Sequence, residues 1–229
     1  MKPIDIASLE HQLRDAQSRY TRACEALAPI HKGGEWEEYH ASHAALLAIE
    51  REIAEAKGEE FAVLAGFPVQ WDIGAPMPFL VTNDRKTFLI FYMRVDDPNW
   101  DGTYVTVKYP ANANADPMVL VEFQRCASAK LGDPNDEVFH GHPLHGKGLD
   151  GYTAQIVRNS KWLAELENIN KVHSGYNSDR WRGLQHFVFW FHDSTFECIA
   201  DECIAEGYKV EVLHETLAKI LARVYDRMI

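Results

Sequence analysis

Apolar residues recur at alternating spacings of three and four along the first sixty residues. The first stretch predicts a helix whose apolar seam comprises Ile6, Leu9, Leu13, Ala16, Tyr20, Ala23 and Leu27. Pro29 and the pair Gly33 and Gly34 then stop this helix, and a second one is predicted over residues 35–57, ending at Gly58. The period is typical of a short coiled coil, so we predict an antiparallel helical hairpin over residues 1–58.

The pattern changes to strands and turns from residue 61 onward. Residues 88–93 form a continuous apolar run, which is typical of a strand covered on both faces. Further strands are predicted at residues 104–109 and 119–123, separated by a segment that runs from Pro110 to Pro117. Strands at this spacing favour an antiparallel meander over repeated β-α-β units.

The last hundred residues contain both helix-like and strand-like spacings of apolar residues. A loop over residues 132–151 is followed by a predicted helix at 159–173, a strand at 186–191 and a final helix at 213–224. We therefore predict an α+β fold, in which a helical hairpin (residues 1–58) precedes a mostly antiparallel sheet with packed helices (residues 61–229). The hairpin either packs on the rest of the chain or forms an interface, and a regular seam favours a homo-oligomer or protein partner held through residues 6–57.

The balance of charged residues makes some classes of binding partner unexpected. Acidic residues outnumber basic ones by 34 to 23, giving a formal net charge of −11. General nucleic-acid binding and binding to anionic membranes both need a surplus of Lys and Arg, so neither is expected. The N-terminus lacks the apolar core of a signal peptide, and the strongly apolar run at residues 187–191 is too short to span a bilayer. The four cysteines show no close C-x-x-C pair, which favours reduced thiols and a cytoplasmic location.

Five short strings occur together between residues 77 and 201. They are PNDE at 134–137, GHPL at 141–144, NSxW at 159–162, NxxH at 170–173 and FHDSTFECIA at 191–200. In this combination the chain resembles a family of small uncharacterised bacterial proteins that end in an FHDSTFECIA-like segment. The resemblance implies a bacterial origin and a shared fold, and it implies no mechanism.

A cluster of three histidines is the candidate metal site. His140, His142 and His145 lie within six residues, in a loop whose glycines and proline permit sharp bends. Imidazole is a common ligand for divalent metals, so zinc, manganese or nickel is the cofactor that this pattern would favour. The spacing matches no standard zinc motif, however, and the favoured explanation is a surface turn that happens to be rich in histidine, or one histidine that caps a helix.

The segment from residue 186 to residue 197 holds the candidate catalytic residues. His192 is the candidate general base, with Asp193 or Glu197 to orient it or to act as the acid. In a continuous strand His192 and Asp193 point to opposite faces, and Asp193 and Glu197 stand about 13 Å apart at ~3.3 Å per residue. The three residues therefore form a site only if the histidine loop or His173 folds over the same region.

A hairpin is the favoured interpretation of this segment. Its strands are predicted at residues 187–191 and 196–200, joined by a turn at residues 192–195 whose polar side chains satisfy nearby backbone groups. Phe191 is then expected to face Phe196 across the pair. The polar residues of the turn need no catalytic role in this arrangement.

The remaining candidates concern ligand binding. His173 and Trp181 are weak candidates for contacting a ligand, since the charged neighbours of Trp181 imply partial exposure. Nucleophile elbows and phosphate-binding glycine loops are absent from the sequence. We therefore expect a non-enzymatic binding or interaction protein that uses residues 139–201. The alternative is a metal-dependent hydrolase with a histidine and carboxylate site.

Overall fold

The computed structural model describes residues 5–27, 34–96, 116–211 and 213–225. The chain forms two compact units. The smaller unit takes its residues from 1–63, 140–150 and 157–161, and the larger unit takes the rest.

Two antiparallel helices dominate the smaller unit. Helix α1 spans Ile6–Ala26 and helix α2 spans Glu35–Ala56. The buried residues of α1 are Leu9, Ala16 and Ala23, which recur every seven positions and place a single stripe against α2. The predicted helical hairpin is therefore confirmed.

Ion pairs between the helices fix their relative direction. Lys57 Nζ lies 3.2 Å from Glu10 Oε1 at one end of the pair. Nearer the other end, Arg19 Nε lies 2.6 Å from Glu38 Oε1. Early residues of α1 thus meet late residues of α2, as an antiparallel pair requires.

A second face of α2 packs against the segment that contains Gly148. The amide of Gly148 donates to Glu50 Oε2 at 3.0 Å, and its carbonyl oxygen accepts from Arg51 at 3.0 Å. Gly148 has a φ of 79°, and a Cβ atom there would lie only 2.5 Å from Arg51 Cγ. Only glycine therefore fits this position without a shift. Burial raises the pKa of Glu50, although the Gly148 amide partly offsets this effect.

The described strands form two sheets. The five-stranded sheet has the order β1-β6-β7-β8-β5, and the four-stranded sheet has the order β2-β3-β4-β9. The elements that follow α2 are β1 Phe61–Leu64, β2 Phe79–Thr82, β3 Thr87–Tyr92, β4 Asp116–Gln124, β5 Ser128–Gly132, a 3₁₀ helix Asp136–Gly141, β6 Ala154–Arg158, α3 Lys161–Asn170, α4 Ser178–Arg182, β7 Gln185–Trp190, β8 Thr195–Ala200, β9 Glu202–Glu211 and α5 Leu213–Tyr225.

An aromatic core lies between the two sheets of the larger unit. Phe189 of β7 has ring contacts with six other aromatic side chains, at centroid distances from 5.1 to 6.4 Å. The buried members of this core include Trp71, Phe91, Phe123, Phe187, Phe189, Phe191 and Phe196. Phe187 and Phe189 are alternate residues of β7, so their rings face the same side of the sheet.

The second face of β3 is also covered, as its continuous apolar run predicts. Phe88 and Ile90 pack with Met118 and Leu120 of β4 against Ile220 of α5. All six residues of β3 are buried. On the outer face of the five-stranded sheet, side chains of α3 and α4 cover Ile199. The predicted α+β fold with packed helices is confirmed.

Some elements differ from the prediction. β9, whose sequence alternates weakly, pairs antiparallel with β4 and was not expected. The predicted strand at residues 104–109 lies outside the described residues. The hairpin of β7 and β8 is present, but Trp190 faces Thr195 and Phe189 faces Phe196. The expectation that Phe191 faces Phe196 is therefore wrong, since the turn starts one residue earlier.

None of the helices in the described ranges combines the length and the apolar character needed to cross a membrane.

Candidate functional site

The turn after β7 contains the first candidate, His192. Its Nδ1 atom lies 2.6 Å from Asp136 Oδ2, and the amide of Asp136 donates to the His192 carbonyl oxygen at 3.0 Å. The hydroxyl of Tyr152 donates to the same Asp136 oxygen. Thr195 donates to the Pro134 carbonyl oxygen at 2.7 Å. The turn is therefore fastened to residues 134–136, which sequence reasoning did not link to it.

Asp136 rather than Asp193 orients the imidazole. Asp193 Oδ1 lies 3.9 Å from His192 Nε2 and is 84% exposed, too far for a hydrogen bond. The hydrogen bond with Asp136 raises the pKa of His192, and burial only partly opposes it. The pKa of Asp136 is lowered in turn, mainly by the hydrogen bond from Tyr152. This arrangement favours an imidazolium that is held at Nδ1 while Nε2 faces outward.

Replacing Asp136 by asparagine should lower the pKa of His192 toward its ordinary value of 6.5. Since the folded-state pKa is raised, protonated His192 stabilises the fold at acidic pH. That contribution is lost as the pH rises through the folded-state pKa. An NMR titration of the imidazole protons, assigned with a His192→Asn variant, measures the change.

Asp193→Asn is the matched control for this titration, because Asp193 is the other carboxylate beside the ring. We expect it to change the His192 pKa less than Asp136→Asn does. Equal effects of the two variants would contradict the assignment of Asp136 as the orienting group.

The third catalytic candidate, Glu197, is committed to a different set of partners. It lies in β8 between Lys130 of β5 and the strand that holds His186. His186 Nε2 is 2.8 Å from Glu197 Oε2, and Lys130 Nζ is 2.7 Å from Oε1. Trp162 of α3 covers this group, with its ring 5.1 Å from the His186 ring and 4.8 Å from the Lys130 ammonium.

Glu197 remains ionised in this buried group. Burial raises the pKa of Glu197, but hydrogen bonds from His186 and Lys130 outweigh it and lower the pKa to about 2. The carboxylate is therefore an acceptor for both neighbours at neutral pH. Such a fully partnered ion pair is suited to fixing the sheet and α3 rather than to proton transfer with a substrate.

In the histidine loop, which belongs to the smaller unit, imidazoles contact each other and the backbone. His140 Nδ1 lies 2.9 Å from His145 Nε2, while His142 Nδ1 accepts from the Leu144 amide at 3.2 Å. Burial and then the charge of His140 lower the pKa of His145. Across the described ranges, no group of three or more His, Cys, Asp or Glu side chains is placed to hold a metal ion. The predicted zinc, manganese or nickel site thus gains no support.

The predicted ligand contacts, His173 and Trp181, line a cavity of about 420 Å³ that we call the Cys126 cavity. Its walls come from Asp84, residues 126–127 and residues 166–181. Trp181 is only 9% exposed, so the expectation of partial exposure is wrong; its ring packs on Leu184 and Ile199. His173 is exposed, and its Nδ1 accepts from the Gly175 amide at 2.9 Å.

A more apolar cavity of about 320 Å³ was not predicted; we call it the Trp71 cavity. Side chains of residues 64–73, Arg94 and residues 152–154 line it. Trp71 is 3% exposed, and its indole Nε1 has no hydrogen-bond partner within the described part of the chain. Arg94 donates to Asp96 at 3.0 Å, and both side chains are largely exposed.

Tyr152 connects the Trp71 cavity to the His192 turn. It belongs to the cavity wall and donates its hydroxyl to Asp136. Its φ of 55° is uncommon for a residue other than glycine, and such conformations concentrate at functional sites. Burial and the hydrogen bond to Asp136 both raise the pKa of Tyr152, so it stays a neutral donor.

No signal in the sequence marks the Trp71 cavity, because its residues come from loops and strand ends without a shared period. Comparison of the chain with protein-family models, curated proteins and solved structures gave no match in any of the three.

Proposed function

We propose that this chain is a binding protein for a small apolar molecule that carries a carboxylate, and that the Trp71 cavity holds this ligand. One observation carries the proposal: a mostly apolar cavity contains a cationic side chain in a protein of formal net charge −11. Among the described residues of the lining, Arg94 alone is positively charged. An apolar pocket with a few polar groups is the usual form of a small-molecule site.

The present partner of Arg94 is easily exchanged. Its ion pair with Asp96 joins side chains that are 52% and 85% exposed, and such pairs contribute at most about 1 kcal/mol. A ligand carboxylate would offer the guanidinium the same charge, while the apolar wall of the cavity would cover the rest of the ligand. This difference supports an anionic ligand.

The walls support a small ligand with a flat or branched apolar body. The volume of about 320 Å³ is at the lower end of the range for ligand cavities. Phe67 and Trp71 supply aromatic surface, and the Phe67 ring is itself fixed 5.1 Å from Phe189.

Benzoate tests this proposal, with benzamide as its uncharged counterpart. We expect saturable binding of benzoate by titration calorimetry, accompanied by a change in tryptophan fluorescence. Replacing Arg94 by glutamine should weaken benzoate binding about tenfold, or about 1.4 kcal/mol, because a charged hydrogen bond is lost. Benzamide binding should change less than about twofold in the same variant, since the amide carries no charge.

Arg85→Gln is the matched control, because Arg85 is an exposed arginine in the turn between β2 and β3. It should leave benzoate binding unchanged. The proposal fails if neither probe binds up to about 10 mM, which corresponds to less than 3 kcal/mol of binding energy. It also fails if Arg94→Gln and Arg85→Gln weaken benzoate equally, as a general charge effect would.

Three broader expectations belong to the same proposal. We propose a cytoplasmic location, membership of the bacterial family that the chain resembles, and an oligomer or partner contact through residues 6–57. The third is supported by Trp36, which is 51% exposed on α2 and stacks on His40 at 6.0 Å. Exposed aromatic side chains of this kind are enriched at protein interfaces.

A further inference from the structure

Three of the four cysteines lie near the corner where the chain passes between the two sheets of the larger unit. Cys126 occupies the connection from β4 to β5, Cys198 lies in β8 and Cys203 lies in β9. The amide of Ala127 donates to the carbonyl oxygen of Ile199 at 2.7 Å, which ties this connection to the neighbour of Cys198. The Cys126 thiol donates to the Ser128 carbonyl oxygen at 3.3 Å, and its side chain packs against the buried cluster that contains Cys198.

The two thiols differ in access. Cys126 is partly exposed and lines the Cys126 cavity. Cys198 is fully buried in the aromatic core and does not line the cavity. A small reagent in the cavity therefore contacts Cys126 and not Cys198.

The two thiols also differ in ionisation. The interaction with the neighbouring Cys198 side chain lowers the pKa of Cys126 to about 7, in spite of partial burial. Burial raises the pKa of Cys198 above its ordinary value. Since the thiolate is the reactive form of cysteine, Cys126 is the nucleophile of the pair at neutral pH.

We propose that Cys126 is an oxidation site for hydrogen peroxide and that Cys198 is the thiol that resolves the oxidised form. The Cys126 thiolate attacks one peroxide oxygen; a sulfur–oxygen bond forms, the oxygen–oxygen bond breaks and hydroxide leaves as water after taking a proton. Cys126 is then a sulfenic acid, two electrons more oxidised. The Cys198 sulfur next attacks the Cys126 sulfur, so that a disulfide forms and the hydroxyl leaves with the Cys198 proton as a second water.

The second step should be the slower one, because the buried Cys198 must lose its proton before it attacks. The sulfenic acid on Cys126 should therefore accumulate long enough to be trapped with dimedone. We expect dimedone on Cys126 in the full-length protein after brief treatment with peroxide. Cys24 in α1, which is also partly exposed, is the internal reference and should carry little or none.

Without dimedone, the expected product is a Cys126–Cys198 disulfide, detected by mass spectrometry after thiol blocking and trypsin digestion. Trypsin leaves Cys198 and Cys203 on one peptide, because no Lys or Arg separates them. A Cys198→Ser variant should therefore lose the disulfide and increase the dimedone adduct, whereas Cys203→Ser should change neither. Cys126→Ser should abolish both products.

The pH dependence gives a second readout that does not require the variants to fold. Iodoacetamide labelling of Cys126 should reach half its maximal rate near pH 7, compared with about 8.5 for a cysteine in a peptide. The charged and titratable groups around this thiol pair include Cys203, Glu197, Asp84, His173 and Arg180.

Two outcomes would overturn the proposal. One is dimedone labelling of Cys126 that does not exceed that of Cys24. The other is a disulfide that joins Cys126 to Cys203 or to Cys24 and persists in Cys198→Ser. Neither outcome bears on the Trp71 cavity, which shares no lining residue with the Cys126 cavity.

Discussion

Replacing Phe189 by alanine is expected to lower the free energy of unfolding by about 4 kcal/mol, since complete removal of a buried aromatic ring costs about 3–5 kcal/mol. Phe189 is 0% exposed, and the neighbouring rings belong to both sheets. The side chains around it are fixed by their own strands, so they cannot collapse into the space that is left. The cost should therefore include most of the cavity contribution.

Urea denaturation followed by far-UV circular dichroism measures this loss. Phe189→Leu, which keeps most of the volume, should cost about 1.5 kcal/mol or less. Val138→Ala serves as the control, because Val138 is 52% exposed and a surface substitution of this kind changes stability by about 0.5 kcal/mol at most. A loss below about 2 kcal/mol for Phe189→Ala would contradict close packing between the sheets.

Replacing Glu197 by glutamine is expected to cost about 3 kcal/mol at pH 7 and to remove a specific part of the acid sensitivity. A carboxyl group whose pKa falls from 4.5 to about 2 on folding stabilises the protein by roughly 3 kcal/mol above pH 4.5. Between these two pKa values the unfolded chain binds a proton that the folded chain does not. Stability is therefore lost as the pH falls from about 4.5 to about 2.

The measurement compares urea denaturation of the two proteins from pH 7 down to pH 3. The difference between wild type and Glu197→Gln should shrink as the pH falls below 4.5, since the wild-type contribution disappears. Glu165→Gln makes the same change at an exposed position of α3 and should have little effect at any pH. If the difference stays constant with pH, then Glu197 is not held ionised by His186 and Lys130.

The hairpin and the core faces could be predicted because they depend on local periods. Leu9, Ala16 and Ala23 recur every seven positions, a spacing that can be recognised in the sequence itself. The face of β7 that carries Phe187 and Phe189 could be predicted in the same way, from the alternation of side chains along a strand. It was unaffected by the misplaced turn, because shifting a strand by two residues along its partner keeps every side chain on the same face.

The same error in the position of the turn explains why the ion pair between His186 and Glu197 was not predicted. With Phe191 set opposite Phe196, the side chains of His186 and Glu197 are too far apart along the strands to meet. In the observed register Glu197 is paired with Val188. His186 lies two residues before Val188 on the same face of the sheet, so its side chain reaches Glu197. Turn position depends on the bonds that fasten residues 191–194, and these involve partners distant in sequence.

The functional contacts were harder to predict for a related reason. Asp136 and His192 are 56 residues apart and meet through a loop and a turn, which have no repeating pattern. Arg94 and Tyr152 share a cavity wall in the same way. The pairing of Cys126 with Cys198 likewise depends on how β4 and β5 enter different sheets, which the spacing of cysteines cannot indicate.

The hydrogen bond between Gly148 and Glu50 also sets an order of events during synthesis. Its two residues are 98 positions apart, and a ribosome adds about 5–20 residues per second. The ribosome therefore makes helix α2 roughly 5–20 s before it makes Gly148, whose amide donates to the buried carboxylate of Glu50. During that interval water solvates Glu50 and Arg51. The smaller unit, which begins the chain, therefore cannot close before residue 161 has been made, when strands β7, β8 and β9 are still missing.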